Sequence, residues 1–195
     1  TYYDNWYISA NKTRDSIRER VITNKFFVEA QPWDRNGAVG RLGGGIGIDA
    51  YGYSQLAMAD YLSGKYSVDK KTAWYAYGAV SGKIKRYVDW GADVRFHPSG
   101  YKSGDFALNA HIALSAEFRG HPVILTGRFS QTKQSASYWQ ENLFSNHYVW
   151  FNSFDKENET RLEVSLDIPD WALEVGLWQG VVSNKIYYDA NSHVT

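Results

Sequence analysis

The side chains able to do chemistry in this chain are few and scattered. Its histidines are His97, His111, His121, His147 and His193, and none pairs with another at the i,i+4 spacing that places two metal ligands on one helix face. No metal site is expected from them. His97 and His111 fall on the same alternate positions as acids, so a proton or cation role is open to them, with a solvated polar wall as the plainer reading. The absence of cysteine excludes a disulfide scaffold, a zinc ribbon and a thiol nucleophile, while leaving the compartment open. No G-x-S-x-G elbow is present. An acid–His site assembled at a barrel rim from separated strands stays open. The glycine-rich run Gly40-Arg41-Leu42-Gly43-Gly44-Gly45-Ile46-Gly47-Ile48 lacks the G-x-G-x-x-G spacing and the GK[ST] ending of a phosphate loop, and Gly64-Lys65 and Gly82-Lys83 fail the same test. It reads instead as a strand with Leu42, Ile46 and Ile48 on one face and small residues where other groups crowd the opposite face. With no acid, base and nucleophile set to place, neither an enzyme nor a cofactor is expected.

The elements that would position such residues follow from composition and pattern. The 195 residues carry 21 Lys+Arg against 21 Asp+Glu, with a pI near 6.9, which gives no electrostatic ground for nucleic acid or an anionic lipid surface as the main partner. Sixteen per cent of the chain is aromatic, and 17 Gly stand beside only 4 Pro, a mixture suited to strands and turns. No apolar run approaches the ~18–20 residues of a membrane helix. The mean hydropathy of -0.48 fits a soluble protein and a transmembrane barrel equally, because only alternate barrel residues meet lipid. The opening residues Thr1-Tyr2-Tyr3-Asp4-Asn5-Trp6 have no signal-peptide character, so a mature chain or a fragment is expected, organised as a single domain over 1–195.

Strict period-two alternation runs over 87–97, where Val88, Trp90, Ala92, Val94 and Phe96 face away from Asp89, Asp93, Arg95 and His97. It recurs over 105–119, with Phe106, Leu108, Ala110, Ile112, Leu114, Ala116 and Phe118 opposite Asn109, His111 and Glu117. Further runs are Val123, Leu125, Gly127 and Phe129 against Arg128; Leu162, Val164, Leu166 and Ile168 against Arg161, Glu163 and Asp167; and Leu173, Val175 and Leu177 against Glu174. Weaker candidates at 6–13, 26–31, 38–53, 72–81 and 147–155 bring the expectation to roughly ten strands in an all-β chain. Residues 14–20 have mild helical character and read as a loop or turn.

Alternation alone does not say which face is buried. Strand length helps: soluble strands run ~5–6 residues and membrane strands ~9–11. At ~3.3 Å per residue and a tilt near 45°, the run from Phe106 to Phe118 climbs roughly 28 Å, close to the ~25 Å apolar band of an outer-membrane barrel. Phe106 and Phe118 bracket an aliphatic row, and Trp90 and Phe96 bracket theirs, as rings at two membrane–water boundaries do. Tight turns are expected at 81–85, 120–122 and 156–159 and long loops at 54–71 and 131–146, the asymmetry of membrane barrels; the short link at Pro169-Asp170 breaks that order. These features predict an antiparallel transmembrane β-barrel. Its lumen would be lined by Asp89, Asp93, Arg95, His97, Asn109, His111, Glu117, Arg128, Arg161, Glu163, Asp167 and Glu174, a hydrated wall of both signs. Its lipid face would carry Val88, Trp90, Val94, Phe96, Phe106, Leu108, Ile112, Leu114, Phe118, Leu162, Val164 and Leu166.

The segment Ser145-Asn146-His147-Tyr148-Val149-Trp150-Phe151-Asn152-Ser153-Phe154-Asp155 resembles the putative porin family of Bacteroidota. The same resemblance extends to 161–166, Ile168-Pro169-Asp170-Trp171 and Ser183-Asn184-Lys185-Ile186-Tyr187-Tyr188, and to the earlier Phe27-Val28-Glu29-Ala30-Gln31-Pro32 and Asp60-Tyr61-Leu62-Ser63-Gly64. It implies a large outer-membrane barrel of a Gram-negative bacterium, of which this chain would be a part, and it carries over no ligand residues. The expected function is a passive channel for small hydrophilic solutes, with outer-membrane lipid and other envelope proteins as partners. Three alternatives remain open: a plugged structural or docking barrel in a secretion or nutrient-uptake complex; a soluble carbohydrate-binding sandwich using Trp139, Trp178 and Tyr138; and a barrel enzyme with a rim site.

Overall fold

The computed structural model describes residues 15–31, 38–56 and 65–188. Its long strands are β1 (Arg18–Ala30), β2 (Arg41–Leu56), β3 (Tyr66–Ile84), β4 (Val88–Gly100), β5 (Phe106–Phe118) and β6 (His121–Gln134). A short helix α1 (Tyr138–Glu141) and the brief strands β7 (Asn142–Phe144) and β8 (Val149–Phe151) follow, before β9 (Glu157–Ile168) and β10 (Leu173–Ser183). The long strands form one eight-stranded antiparallel sheet in the order β1-β2-β3-β4-β5-β6-β9-β10, a meander without crossovers; β7 and β8 pair only with each other. Among the described residues the sheet is open, with β1 and β10 as its edges.

Local chemistry closes the hairpins. Arg119 and Gly120 both have positive φ, 54° and 83°, the twisted two-residue turn that matches the right-handed twist of the strands it joins. The turns at 85–87 and 119–120 share a rim with the 3-10 turn Pro169–Trp171, which ends on left-handed Ala172 at φ 48°. The connections at 101–105 and 135–156 share the opposite, loop-bearing rim.

Several boundaries differ from expectation. Residues 18–20 belong to β1 rather than a loop, and β3 spans Tyr66–Ile84 rather than 72–81. Both extensions lie where charged residues replace the apolar members of the alternation, which erases its signal. The turn expected at 81–85 lies at 85–87, and residues 54–56, expected in a loop, belong to β2. No tight turn exists at 156–159, because Glu157 already starts β9. That correction removes the conflict at Pro169, whose turn falls on the short-turn rim as antiparallel order requires. The strand expected at 147–155 shrinks to β8, outside the main sheet, because these residues belong to a folded loop. The candidate strand at 6–13 lies outside the described residues.

Burial is inverted relative to a soluble sandwich. On the aliphatic face Ile46, Ile112, Leu162, Val175 and Leu177 are 57%, 47%, 52%, 58% and 78% exposed. The buried aromatics Tyr53 and Tyr75 lie on the opposite, polar side of the sheet, and Tyr138 and Phe144 belong to the loop that joins β6 to β9 and packs on that side.

Candidate functional site

Cross-strand partners project to the same side of a sheet, so the register assigns every side chain to a face. Asp93 lies opposite Asn109, Asn109 opposite Ser130, and Ser130 opposite Arg161; His111 lies opposite Arg128, and Arg128 opposite Glu163. Asp167 faces Glu174. With Asp89, Arg95, His97 and Glu117 on the same parity, all the residues expected on the polar wall share one face. Val88, Leu114, Leu125 and Leu166 form a row across the other face, and Trp90, Ile112, Gly127 and Val164 form the next. Val94, Phe96, Phe106, Leu108, Phe118 and Leu162 hold the same parity as these rows.

The polar side chains are cross-linked. Asn109 Nδ2 donates to Asp93 Oδ2 at 3.0 Å, and Lys83 and His111 both reach Asp89, at 3.1 and 3.3 Å. Arg128 and Arg161 share the single carboxylate of Glu163, at 2.6 and 3.1 Å, while the Arg161 guanidinium lies 4.9 Å from the Trp178 ring centroid. Around this triad Asn109, His111 and Ser130 help line a recess of about 400 Å³. Exposed pairs of this kind are each worth only ~0–1 kcal/mol, so they order the wall more than they hold the fold.

A second cluster, near the loop-bearing rim, was not legible from the alternation. Arg95 lies over the Tyr75 ring at 3.8 Å and 3.9 Å from the buried carboxylate of Asp49, to which the Tyr51 hydroxyl donates at 3.3 Å. Gly47 makes room for this stack, since a Cβ there would come within 2.2 Å of the Tyr75 ring. A leucine at Gly47 is therefore expected to displace Tyr75 and cost about 1–3 kcal/mol as an overpacked site. The check is the temperature at which the folded, gel-compact species is lost; an unchanged temperature would show that the ring is not held there.

The β6–β9 loop folds across the polar face toward β1 and β2. Tyr138 stacks on Tyr53 with centroids 3.9 Å apart and planes 4° from parallel, and Trp139 Nε1 donates to Glu19 Oε2 at 3.1 Å. The Phe144 amide donates to Gln55 Oε1 at 2.9 Å, and the Asn146 amide to Asp15 Oδ1 at 3.1 Å. Ser137 caps α1 in a reciprocal capping box with Gln140, which sets the direction in which the loop departs. Both ends of the loop are tied to Asp105, which accepts from the Ser135 amide at 3.0 Å, from Ser135 Oγ at 2.7 Å and from Lys156 Nζ. In the same turn Tyr101, packed edge-on against Tyr51 and Tyr53, has its pKa pushed up to about 12, chiefly by burial, so its phenol is neutral throughout the physiological range. Tyr138 is buried in this packing, which removes it as an open sugar platform.

The sequence signal for the second cluster was present but one-sided. In β2 the polar members Asp49, Tyr51, Tyr53 and Gln55 alternate with Ala50, Gly52 and Ser54, which carry too little apolar character to complete the pattern. Asp105 and Lys156 are separated by two whole strands and a folded loop, and only the tertiary structure brings them together.

Among the described residues no group of three or more His, Asp or Glu side chains is arranged to hold a metal, and no helix is long and apolar enough to cross a membrane. The architecture is that of a sheet with a charged, cross-linked face and an exposed aliphatic one. No curated protein and no solved structure matches the chain. The model of one family, described as "Putative porin", matches residues 1–195, and by that match, over an antiparallel β structure of the porin kind, the chain belongs to the putative porin family.

Proposed function

We propose that this chain forms wall of an outer-membrane channel that passes small hydrophilic solutes by passive diffusion in a Gram-negative bacterium. The observation that carries this reading is the segregation of the faces: an exposed aliphatic surface suited to lipid, backed by interleaved charges suited to water. In it, Asp89, Asp93, Arg95, His97, Asn109, His111, Glu117, Arg128, Arg161, Glu163, Asp167 and Glu174 line the lumen. The mechanism needs no covalent step. Width and wall charge select solutes, and the loop lying across the polar face narrows the passage. Its porin family supports a non-enzymatic channel.

Recording from the complete protein in planar bilayers tests this: discrete ohmic steps are expected, and none would contradict it. Wall charge has its own test. Glu163→Gln leaves Arg128 and Arg161 without their shared carboxylate, so the reversal potential in a salt gradient should shift toward anions. An unchanged potential would place the triad outside the conducting path. The packed loop also favours a second reading, a plugged barrel that docks an envelope partner; silent bilayers with correctly inserted protein would support it.

A further inference from the structure

The aliphatic face carries charge at one end only. Its strand residues include no carboxylate, among the described residues, and its formally charged members, Arg18, Arg20, Lys70 and Lys133, all lie at the loop-bearing rim. All four are exposed, and none has a carboxylate partner among the described residues. Cations at the end of an apolar surface sit where the hydrocarbon gives way to polar groups, and an anion outside the barrel would answer this placement.

The local geometry supplies a place for one. Arg20 pairs in register with Gly52, and Gly52 with Lys70, so two cations flank a position with no side chain. A Cβ on Gly52 would meet nothing closer than 4.0 Å, leaving the gap above the backbone open. Strands lie ~4.8 Å apart, so the cationic stems rise roughly 10 Å from each other and their long side chains can converge on one group between them. Next to this pair Arg18, Ser16, Ser54 and Tyr66 line a recess of about 360 Å³, adding a guanidinium and three hydroxyls. Guanidinium, ammonium and hydroxyl donors without acids are the set that takes a phosphate oxygen.

The rows below fix the depth. Toward the opposite rim come Ile22, Ala50 and Thr72, then Asn24, Ile48 and Trp74, then Phe26, Ile46 and Ala76. Trp74 is thus two rows from the cations, where an indole sits at a membrane boundary, and the cations are level with headgroups. We propose that Arg18, Arg20 and Lys70, with Ser54 and Tyr66, form an external binding site for phosphorylated lipid headgroups of the leaflet at the loop-bearing rim. The site rests on the membrane reading above and lies on the opposite side of the wall from the lumen.

The test uses the complete protein in nanodiscs of phosphatidylcholine and of an equal mixture with phosphatidylglycerol, counting lipids retained after extraction into mild detergent. The wild type should retain phosphatidylglycerol in preference. The triple variant Arg18→Gln, Arg20→Gln, Lys70→Gln should lose that preference by roughly a hundredfold, at about fivefold per charge. Arg119→Gln, in a turn on the opposite rim, should leave it unchanged. Excess inorganic phosphate should displace little, since acyl chains also hold the lipid. Undiminished preference in the triple variant overturns the site, and displacement by phosphate alone overturns its assignment to lipid. Absence of protein from discs of both compositions is a separate result, one that contradicts the membrane reading itself.

Discussion

Replacing Ile112 by arginine is expected to cost about 2–4 kcal/mol of stability in a bilayer, the penalty for a cation on the lipid face near the midplane. Ile112 sits mid-way along β5, between Trp90 on β4 and Gly127 on β6, and is 47% exposed on the aliphatic face. Its sequence neighbour His111 points the other way and reaches Asp89. Arginine at 111 should therefore be tolerated within about 1 kcal/mol, as a substitution on a hydrated polar surface. The comparison is made by reversible unfolding from lipid vesicles. Equal costs at 111 and 112 would mean that the two faces meet the same solvent.

Lys156→Met is the second large effect. Asp105 is 5% exposed, and among the described residues its carboxylate would keep the two Ser135 donors. Breaking one side of a fully buried ion pair costs ~3–5 kcal/mol; because Lys156 is partly solvated, about 2–3 kcal/mol is expected here. Adding Asp105→Asn removes the stranded charge and should recover much of the loss. The functional consequence follows from position, since the pair ties both ends of the β6–β9 loop to the 101–105 turn. Loosening it should raise conductance and current noise in bilayer recordings. Unchanged conductance with reduced stability would show that the loop does not restrict the passage.

The two faces were legible in the sequence because each mid-strand residue obeys one rule. Ile112 and His111 differ by one position and meet opposite sides, and a run such as Phe106–Phe118 repeats that contrast often enough to survive any single exception. Legibility failed at strand ends. Around Arg18–Arg20 and Lys70–Lys71 cations take positions that apolar residues hold elsewhere on the aliphatic face, and the alternation that defines a strand is interrupted. The folded loop was illegible for another reason: Tyr138 on Tyr53, and Phe144 on Gln55, join residues far apart in sequence through contacts that follow no period. The misplaced turn at 156–159 arose there, where a lysine and acids resemble an exposed turn, but Lys156 binds Asp105 and Glu157 begins β9.

The most direct measurement uses the absence of native cysteine: single cysteines placed in turn from 106 to 118 along β5, in the complete protein reconstituted in vesicles, each probed with a membrane-impermeant maleimide and with a lipid-soluble quencher. Water-side labelling at 107, 109, 111, 113, 115 and 117, with lipid-side quenching at the even positions between, is the predicted result. Uniform labelling along the strand, or labelling and quenching that share the same positions, would contradict a wall with one face to water and the other to lipid.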